Sequence, residues 1–325
     1  MRTVQARAES FPLARPFRIS RGTTLTANVV AVTVTENGHT GFGECVPYTR
    51  YRETVESTLA AIAGVRGALE AGAGRAELLT LLPAGAARNA LDCALWDLEA
   101  QGAGQGLLPT TPIATALTVT IDTPDKMAEQ ARALAGVPLI KVKLDRDMIA
   151  ERLAAVRGAA PGPRLIVDPN ESWTIAEVEG LQGVMQEQRV DLLEQPLPAG
   201  DDTALQDYTG TIPIAADESV HIAADLATLP RGYSVVNIKL DKAGGLTAAL
   251  ELADAAEAAG YTLMTGCMVC SSLSIAPAML PAARSRFVDL DGPVWLLQDR
   301  PGGVTVTDGM LHPPAPGFWG GGQPR

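Results

Sequence analysis

No run of basic residues occurs anywhere in this 325-residue chain, which sets 26 Lys and Arg against 37 Asp and Glu for a formal charge of -11 and a sequence pI near 4.8. Nucleic acid and anionic membranes are recognised by clustered cations facing phosphate, so neither is expected as a partner. Long apolar runs are also missing. No stretch approaches the roughly 18 apolar residues of a membrane span, and the N-terminus from Met1 to Glu9 lacks the apolar core of an export signal. A cytoplasmic location is expected. Cysteine is scarce: Cys45, Cys93, Cys267 and Cys270 are too few and too scattered for a disulfide framework. Cys267 and Cys270 form a CxxC, but there is no second CxxC and no HxxxH, and His39, His221 and His312 lie far apart. A redox pair or half a zinc site is possible in principle; the expectation is a pair of small packing or pocket residues. Finally, no G-x-G-x-x-G follows the first strand of the βα series described below, so nothing supports a dinucleotide site.

What is present divides into two patterns. Residues 24–35 are β-branched and partly alternating, and Asn37-Gly38 then introduces another apolar-polar stretch, the signature of a hairpin with a primed turn. Helical spacing follows over 53–72 and 84–101, with Ala86, Ala90, Leu91, Ala94, Leu95 and Leu98 on one stripe. Residues 1–112 therefore read as an α+β unit ending in a loop punctuated by two prolines. From 113 to 298 strands alternate with helices, the pattern of parallel βαβ units. Eight strands are expected at 115–121, 139–143, 164–168, 191–194, 214–217, 235–239, 261–264 and 286–289. Helices are expected at 124–136, 146–158, 174–188, 201–208, 222–229, 244–259 and 271–283. Eight strands and seven helices suggest a closed α/β barrel, with an open doubly wound sheet as the rival. The Gly- and Pro-rich segment 299–325 has a short β-like piece at 304–306 and is expected to pack back on the N-terminal unit.

Lys143, Asp168, Glu194, Asp217 and Lys239 fall at the ends of successive apolar runs, 22 to 26 residues apart. That is about one βα unit, and side chains at the C-terminal ends of barrel strands converge on one site. Three carboxylates at equivalent strand ends repel one another unless a cation lies between them, and their oxygens suit a hard divalent ion such as Mg²⁺. Lys143 on the second strand and Lys239 on the sixth would then reach opposite faces of a bound substrate, one removing a proton next to a carboxylate and the other returning it. Strand period puts Lys141 on the same face as Lys143, where mutual repulsion, partial burial and a metal would favour a neutral base. Lys242 has already entered the loop, and Asn170 and Glu218 are expected to support or cap rather than to bind metal. Asp289 and Asp291 end the eighth strand and together could bind a substrate ammonium.

Lys141-Val142-Lys143, Asp168-Pro169-Asn170, Glu194-Gln195-Pro196, Ala216-Asp217-Glu218-Ser219 and Asn237-Ile238-Lys239 through Gly244-Gly245 resemble the muconate-lactonizing-enzyme subgroup of the enolase superfamily. That superfamily is a known case of a lysine base working with Mg²⁺. The resemblance implies a modified (β/α)7β TIM barrel with an α+β capping domain, and one Mg²⁺ per subunit on Asp168, Glu194 and Asp217. The Asp289-x-Asp291 pair, Gly266 to Ser271, Arg50-Tyr51 and Pro83 to Asn89 are similar to the dipeptide epimerases. By that match Asp289 and Asp291 hold a free peptide N-terminus, Thr118 and Cys267 line the pocket, and the substrate is a small dipeptide, L-Ala-D/L-Glu, of murein peptide metabolism. A family arginine after Pro16-Phe17 falls at Gly22 or Thr24 here, leaving Arg18, Arg21 or Arg50 to meet the glutamate side chain. Epimerases of other dipeptides, a cycloisomerase or o-succinylbenzoate synthase on the same fold, a Schiff-base aldolase and a non-catalytic binding protein are the alternatives. A homo-oligomer stays open.

Overall fold

The computed structural model describes residues 1–321. An antiparallel sheet opens the chain: β1 (Thr3–Ile19), β2 (Gly22–Glu36) and β3 (His39–Cys45), in that order. Asn37 and Gly38, with φ of 52° and 84°, make the left-handed turn between β2 and β3 that suits the twist of the strands. β1 has no counterpart among the sequence-based expectations. Of its residues only Val4 is fully buried, so no regular apolar alternation marks it, and its pairing with β2 shifts between Pro12 and Phe17. The segment after Pro16-Phe17, expected as a loop, is a tight hairpin: Ile19 pairs with Gly22 and Ser20-Arg21 forms the tip.

Three helices, α1 (Val55–Glu70), α2 (Arg75–Leu81) and α3 (Ala86–Ala103), share a core with this sheet. Thr54 caps α1, its side chain accepting from the Ser57 backbone N–H at 3.1 Å. α3 buries the whole stripe from Ala86 to Leu98. β3 lies directly on it because Gly41 and Gly43 have no side chain; a Cβ on Gly43 would stand 2.0 Å from the Ala90 carbonyl oxygen.

After a short β4 (Ile113–Ala114) come the eight parallel strands β5 (Leu117–Val119), β6 (Leu139–Lys143), β7 (Arg164–Asp168), β8 (Val190–Glu194), β9 (Ile214–Ala216), β10 (Tyr233–Ile238), β11 (Thr262–Gly266) and β12 (Phe287–Asp289). They run in chain order around a near-barrel, closed where the Ala116 N–H donates to Val288 O at 2.8 Å. The connecting helices are α4 (Pro124–Ala133), α5 (Ile149–Ala159), α6 (Ile175–Gly180), α7 (Gln182–Glu187), α8 (Leu240–Ala243), α9 (Leu246–Ala258) and α10 (Ser272–Ala282). The helix expected at 174–188 is broken at Leu181 into α6 and α7. Those expected at 201–208 and 222–229 are 3₁₀ turns, Thr203–Asp207 and Ala223–Thr228, in segments interrupted by Pro213 and by Pro230. β13 (Thr305–Thr307) pairs with β14 (Met310–His312), which pairs with β4, and beyond them the Trp319 indole donates to Phe42 O at 3.0 Å. Among the described residues no helix is long and apolar enough to cross a membrane.

The barrel interior explains how the site is aimed. Its apolar floor is Ala116, Leu139, Ile166, Leu192, Ala215, Val235, Met264 and Phe287, one residue from each strand or its entry. Side chains two positions apart on a strand share a face, so the next inward layer is Thr118, Lys141, Asp168, Glu194, Asp217, Asn237, Gly266 and Asp289. Four positions above the floor stand Lys143, Asn170, Lys239 and Asp291.

Candidate active site

These two layers form the bottom of a cavity of about 300 Å³. Thr118, Lys141, Lys143, Lys239, Cys267, Asp289 and Asp291 all line it, while the N-terminal unit supplies the roof, including Phe17, Arg21, Tyr48 and Tyr51. Asp168, Glu194 and Asp217 are not in the wall. They are at most 1% exposed and lie beneath the lysines.

Each of the three carboxylates is tied to ammonium groups and to a carrier residue. The Lys143 ammonium donates to Asp168 Oδ2 at 2.6 Å, and Asn170 fixes the same carboxylate through its backbone N–H (2.9 Å) and its side-chain amide (3.1 Å). The Asn237 amide donates to Glu194 Oε1 at 2.9 Å. The Lys239 ammonium donates to Asp217 Oδ2 at 2.6 Å, and Lys242 lies 2.7 Å from Oδ1. Lys242 was expected in an open loop; it sits instead in α8, 1% exposed, donating to the backbone carbonyls of Asp217, Val220 and Asn237. A turn of helix after the strand folds it back under the site. Lys141 is central, 3.0 Å from Asp168 Oδ2, 2.8 Å from Glu194 Oε2 and 2.7 Å from Asp289 Oδ2.

The electrostatics of Lys141 differ from the expectation of a neutral lysine. Burial works against the Lys141 ammonium, but Asp168, Asp289 and Glu194 overcome it and hold its pKa well above the ordinary value. Burial likewise opposes the charge on Lys239, and Asp217 reverses the balance upward. Contacts with carboxylates therefore outweigh repulsion between the lysines. On the acid side, burial and then Asp168 push the Glu194 carboxyl up to about 7, and burial with Asp217 does the same to Glu218.

This floor fits a hard cation. Glu194 Oε2 and Asp217 Oδ1 are buried and accept no hydrogen bond despite their ionic contacts, and the donor set of Asp168, Glu194 and Asp217 is all carboxylate oxygen. Among the described residues no three such donors close round one point, because the Lys141 ammonium stands between two of them and Asp289.

Asp289 and Asp291 are both in the wall but do different things. Asp291 Oδ2 is taken by the Thr118 N–H at 2.9 Å and the Trp295 indole at 3.2 Å, and burial with the neighbouring Asp289 raises its carboxyl to about 6. Asp289 Oδ1 is a buried acceptor without a partner, on a residue that lines the cavity. Of the three candidate arginines only Arg21 lines the cavity; Arg18 is exposed on β1 and Arg50 lies behind Tyr51. Cys267 and Cys270 are free thiols, the first half-buried in the wall and the second buried.

Several participants carry no local sequence signal. Glu44, at the end of β3, accepts from the Ser271 N–H at 2.9 Å and so fixes the loop that carries Cys267. Asp241 accepts from the Val46 N–H at 3.0 Å and from Asn89 at 2.7 Å, docking the roof segment onto the barrel. Glu171 binds Arg21 and Arg50. Only contacts between distant segments give these acids a role.

Comparison with known proteins agrees with this layout. Residues 1–109 match the family described as mandelate racemase/muconate lactonizing enzyme, N-terminal domain, and residues 126–318 match the enolase C-terminal domain-like family. The chain is 49% identical over 321 residues to an L-Ala-D/L-Glu epimerase of Escherichia coli (strain K12), a match covering 96% of this chain and 100% of the relative. A solved structure of an enolase family member from Agrobacterium tumefaciens, with homology to dipeptide epimerases and with bound sodium and L-Ala-L-Glu, superposes at TM-score 0.95. It is 44% identical, with 98% of this chain and 100% of that one covered. A dipeptide epimerase from Methylococcus capsulatus complexed with Mg and the dipeptide L-Arg-D-Lys superposes at TM-score 0.88 with 36% identity, 98% of each chain being covered.

Proposed function

Since the chain belongs to the mandelate racemase/muconate lactonizing enzyme family of the enolase superfamily, we infer that its cavity moves a proton on and off a carbon next to a carboxylate. The protein is a dipeptide epimerase, and L-Ala-D/L-Glu is its substrate pair. The observation that carries this reading is the placing of two lysines at the same height on strands half a barrel apart, Lys143 at the end of β6 and Lys239 just after β10, with Asp289, whose Oδ1 has no partner, one layer below them in the wall of the same cavity.

Asp289 accepts the substrate's free ammonium, a charge-assisted bond that satisfies its bare oxygen. Asp291 acts through others, holding Thr118 and Trp295 in the wall. With the N-terminus fixed there, the α-carbon of the second residue lies between the two ammonium groups, and its side chain points to the roof, where Arg21 is the nearest guanidinium lining the cavity. Lys143 and Lys239 take the two faces: the one deprotonated removes the α-proton, the one protonated delivers a proton to the other side. A Mg²⁺ ion, one per subunit, would be held by Asp168, Glu194 and Asp217, and when bound would take over carboxylate charge that otherwise favours the Lys141 and Lys239 ammonium groups and would offset charge growing on the substrate carboxylate. Asn170 and Asn237 keep two of those carboxylates oriented. In this reading residues 1–112 are the cap that closes the barrel of 113–298, and 299–325 brace the two. The four free cysteines fit a reducing, cytoplasmic setting.

The test is a set of dipeptides incubated with Mg²⁺ in D₂O, following deuterium at the α-carbon of the C-terminal residue. L-Ala-L-Glu and its D-Glu epimer are expected to exchange and interconvert. Absence of exchange in every dipeptide would overturn the reading.

A further inference from the structure

We propose that Glu171 is the positioning residue that fastens the cap over the substrate, acting through Arg50 and Arg21; the inference rests on the dipeptide-epimerase reading of the same cavity. Two successive non-glycine residues after Asp168, Asn170 and Glu171, adopt left-handed backbone with φ of 47° and 67°. Such strain persists only where surrounding contacts fix it, and it gathers at functional places. What it achieves here is to turn the Glu171 carboxylate, 8% exposed, up toward the cap. Its two oxygens collect four donors from three other segments. Arg50 approaches as a fork, Nε to Oε2 and Nη2 to Oε1, both at 2.7 Å. Arg21 Nη1 lies 3.1 Å from Oε2, and the Ala199 N–H donates to Oε1 at 2.7 Å.

Both arginines belong to the roof. Arg21 is the tip of the β1–β2 hairpin, whose Phe17, Ile19 and Thr24 line the cavity. Arg50 is flanked by Thr49 and Tyr51, which line it too. Arg21 has a second anion, Glu218 at 2.8 Å, whereas Arg50 has Glu171 as its one ionic partner among the described residues. Arg50 is thus the ionic tie of the 46–52 segment, beside the edge-on contact of Tyr51 with His221 and the Arg21 bond to the Tyr48 hydroxyl, and a planar fork on a carboxylate is the geometry least replaceable by an uncharged partner.

A clamp and a mere charge make opposite predictions for an anionic substrate. Removing the negative charge of Glu171 makes the cavity more positive, so a purely electrostatic role predicts tighter binding of L-Ala-L-Glu. A clamp predicts weaker binding of every dipeptide alike. We expect Glu171→Gln and Arg50→Gln each to raise KM about tenfold for L-Ala-L-Glu and equally for L-Ala-L-Leu, read as substrate or competitive inhibitor, with kcat within about threefold. The double variant is expected to be no worse than Glu171→Gln alone, because that substitution already removes the link that Arg50 makes. Arg50→Lys, which keeps the charge and loses the fork, serves if Glu171→Gln does not fold, and is expected to raise KM for both dipeptides in the same way. Independently of activity, amide hydrogen exchange over residues 17–24 and 46–52 is expected to speed up in these variants. An unchanged or lower KM for L-Ala-L-Glu, a loss confined to kcat, or unchanged exchange in both segments would overturn the clamp. Wild-type protein that exchanges no dipeptide proton but shows the faster amide exchange on substitution would leave the clamp standing and remove the epimerase reading.

Discussion

Lys143 and Lys239 are distinguished from the other buried lysines by height. Lys141 and Lys242 are 1% exposed and spend their charge inside the protein, whereas Lys143 and Lys239, each 7% exposed, reach the cavity from the upper layer. Replacing either by Ala is expected to lower epimerisation about a thousandfold while leaving solvent-proton exchange in only one of the two epimers, a different one for each variant. NMR in D₂O reads this directly, and exchange surviving in both epimers of Lys239→Ala would remove the two-base assignment. At the other end of the substrate, Asp289→Asn is expected to raise KM by about one to two powers of ten, since a charge-assisted bond to ammonium becomes a neutral one. These residues were legible because strand period two leaves a visible mark, a polar residue two or four places after an apolar one. Glu171, Glu44 and Asp241 were not, because nothing local separates a buried acid meeting a distant partner from a solvated loop acid.

Among the elements, α3 and β3 show how tightly the cap is built. Gly43→Ala would drive a methyl into the Ala90 carbonyl of α3 and the Ala94 amide, 2.0 and 2.9 Å away, and is expected to destabilise the fold by about 3 kcal/mol in a denaturant titration. The turn of α8 carries a pH-sensitive contact. Burial raises the Asp241 carboxyl to about 7, although its bonds from Val46 and Asn89 work the other way. Between the ordinary carboxylate range and pH 7 the folded chain therefore binds a proton that the unfolded chain has released, so this group makes stability fall as pH rises through that window and level off above it. Asp241→Asn is expected to shrink the drop in Tm between pH 5 and pH 8; a larger drop would contradict the assignment. Element identity was largely readable from sequence where apolar runs were strong, as in β6 and β7, whose expected and observed limits coincide at 139–143 and 164–168. It failed for β1, whose inner face is only half-buried apart from Val4 and changes phase along the strand, and for the two 3₁₀ turns, which stand where helices were expected.

For the whole molecule, the proposed Mg²⁺ would link chemistry to stability. EDTA is expected to abolish activity and Mg²⁺ to restore it, and at a hundred times its Kd the ion should add about 2.7 kcal/mol to the stability, seen as a rise in Tm. Asp217→Asn should lose both effects. Sequence by itself determined the succession of strands and, through the two-residue alternation, the ring of lysines and acids that points into the barrel, because that pattern is local and every inward residue repeats the phase of the apolar floor. Only the tertiary structure decided which arginine roofs the cavity, that Asp291 supports the wall while Asp289 keeps a free oxygen, and that Lys242 returns beneath Asp217. Those outcomes depend on closing loops over 25 to 173 residues and on where the hairpin tip lands on the barrel, and such long-range contacts leave no periodic trace in the chain.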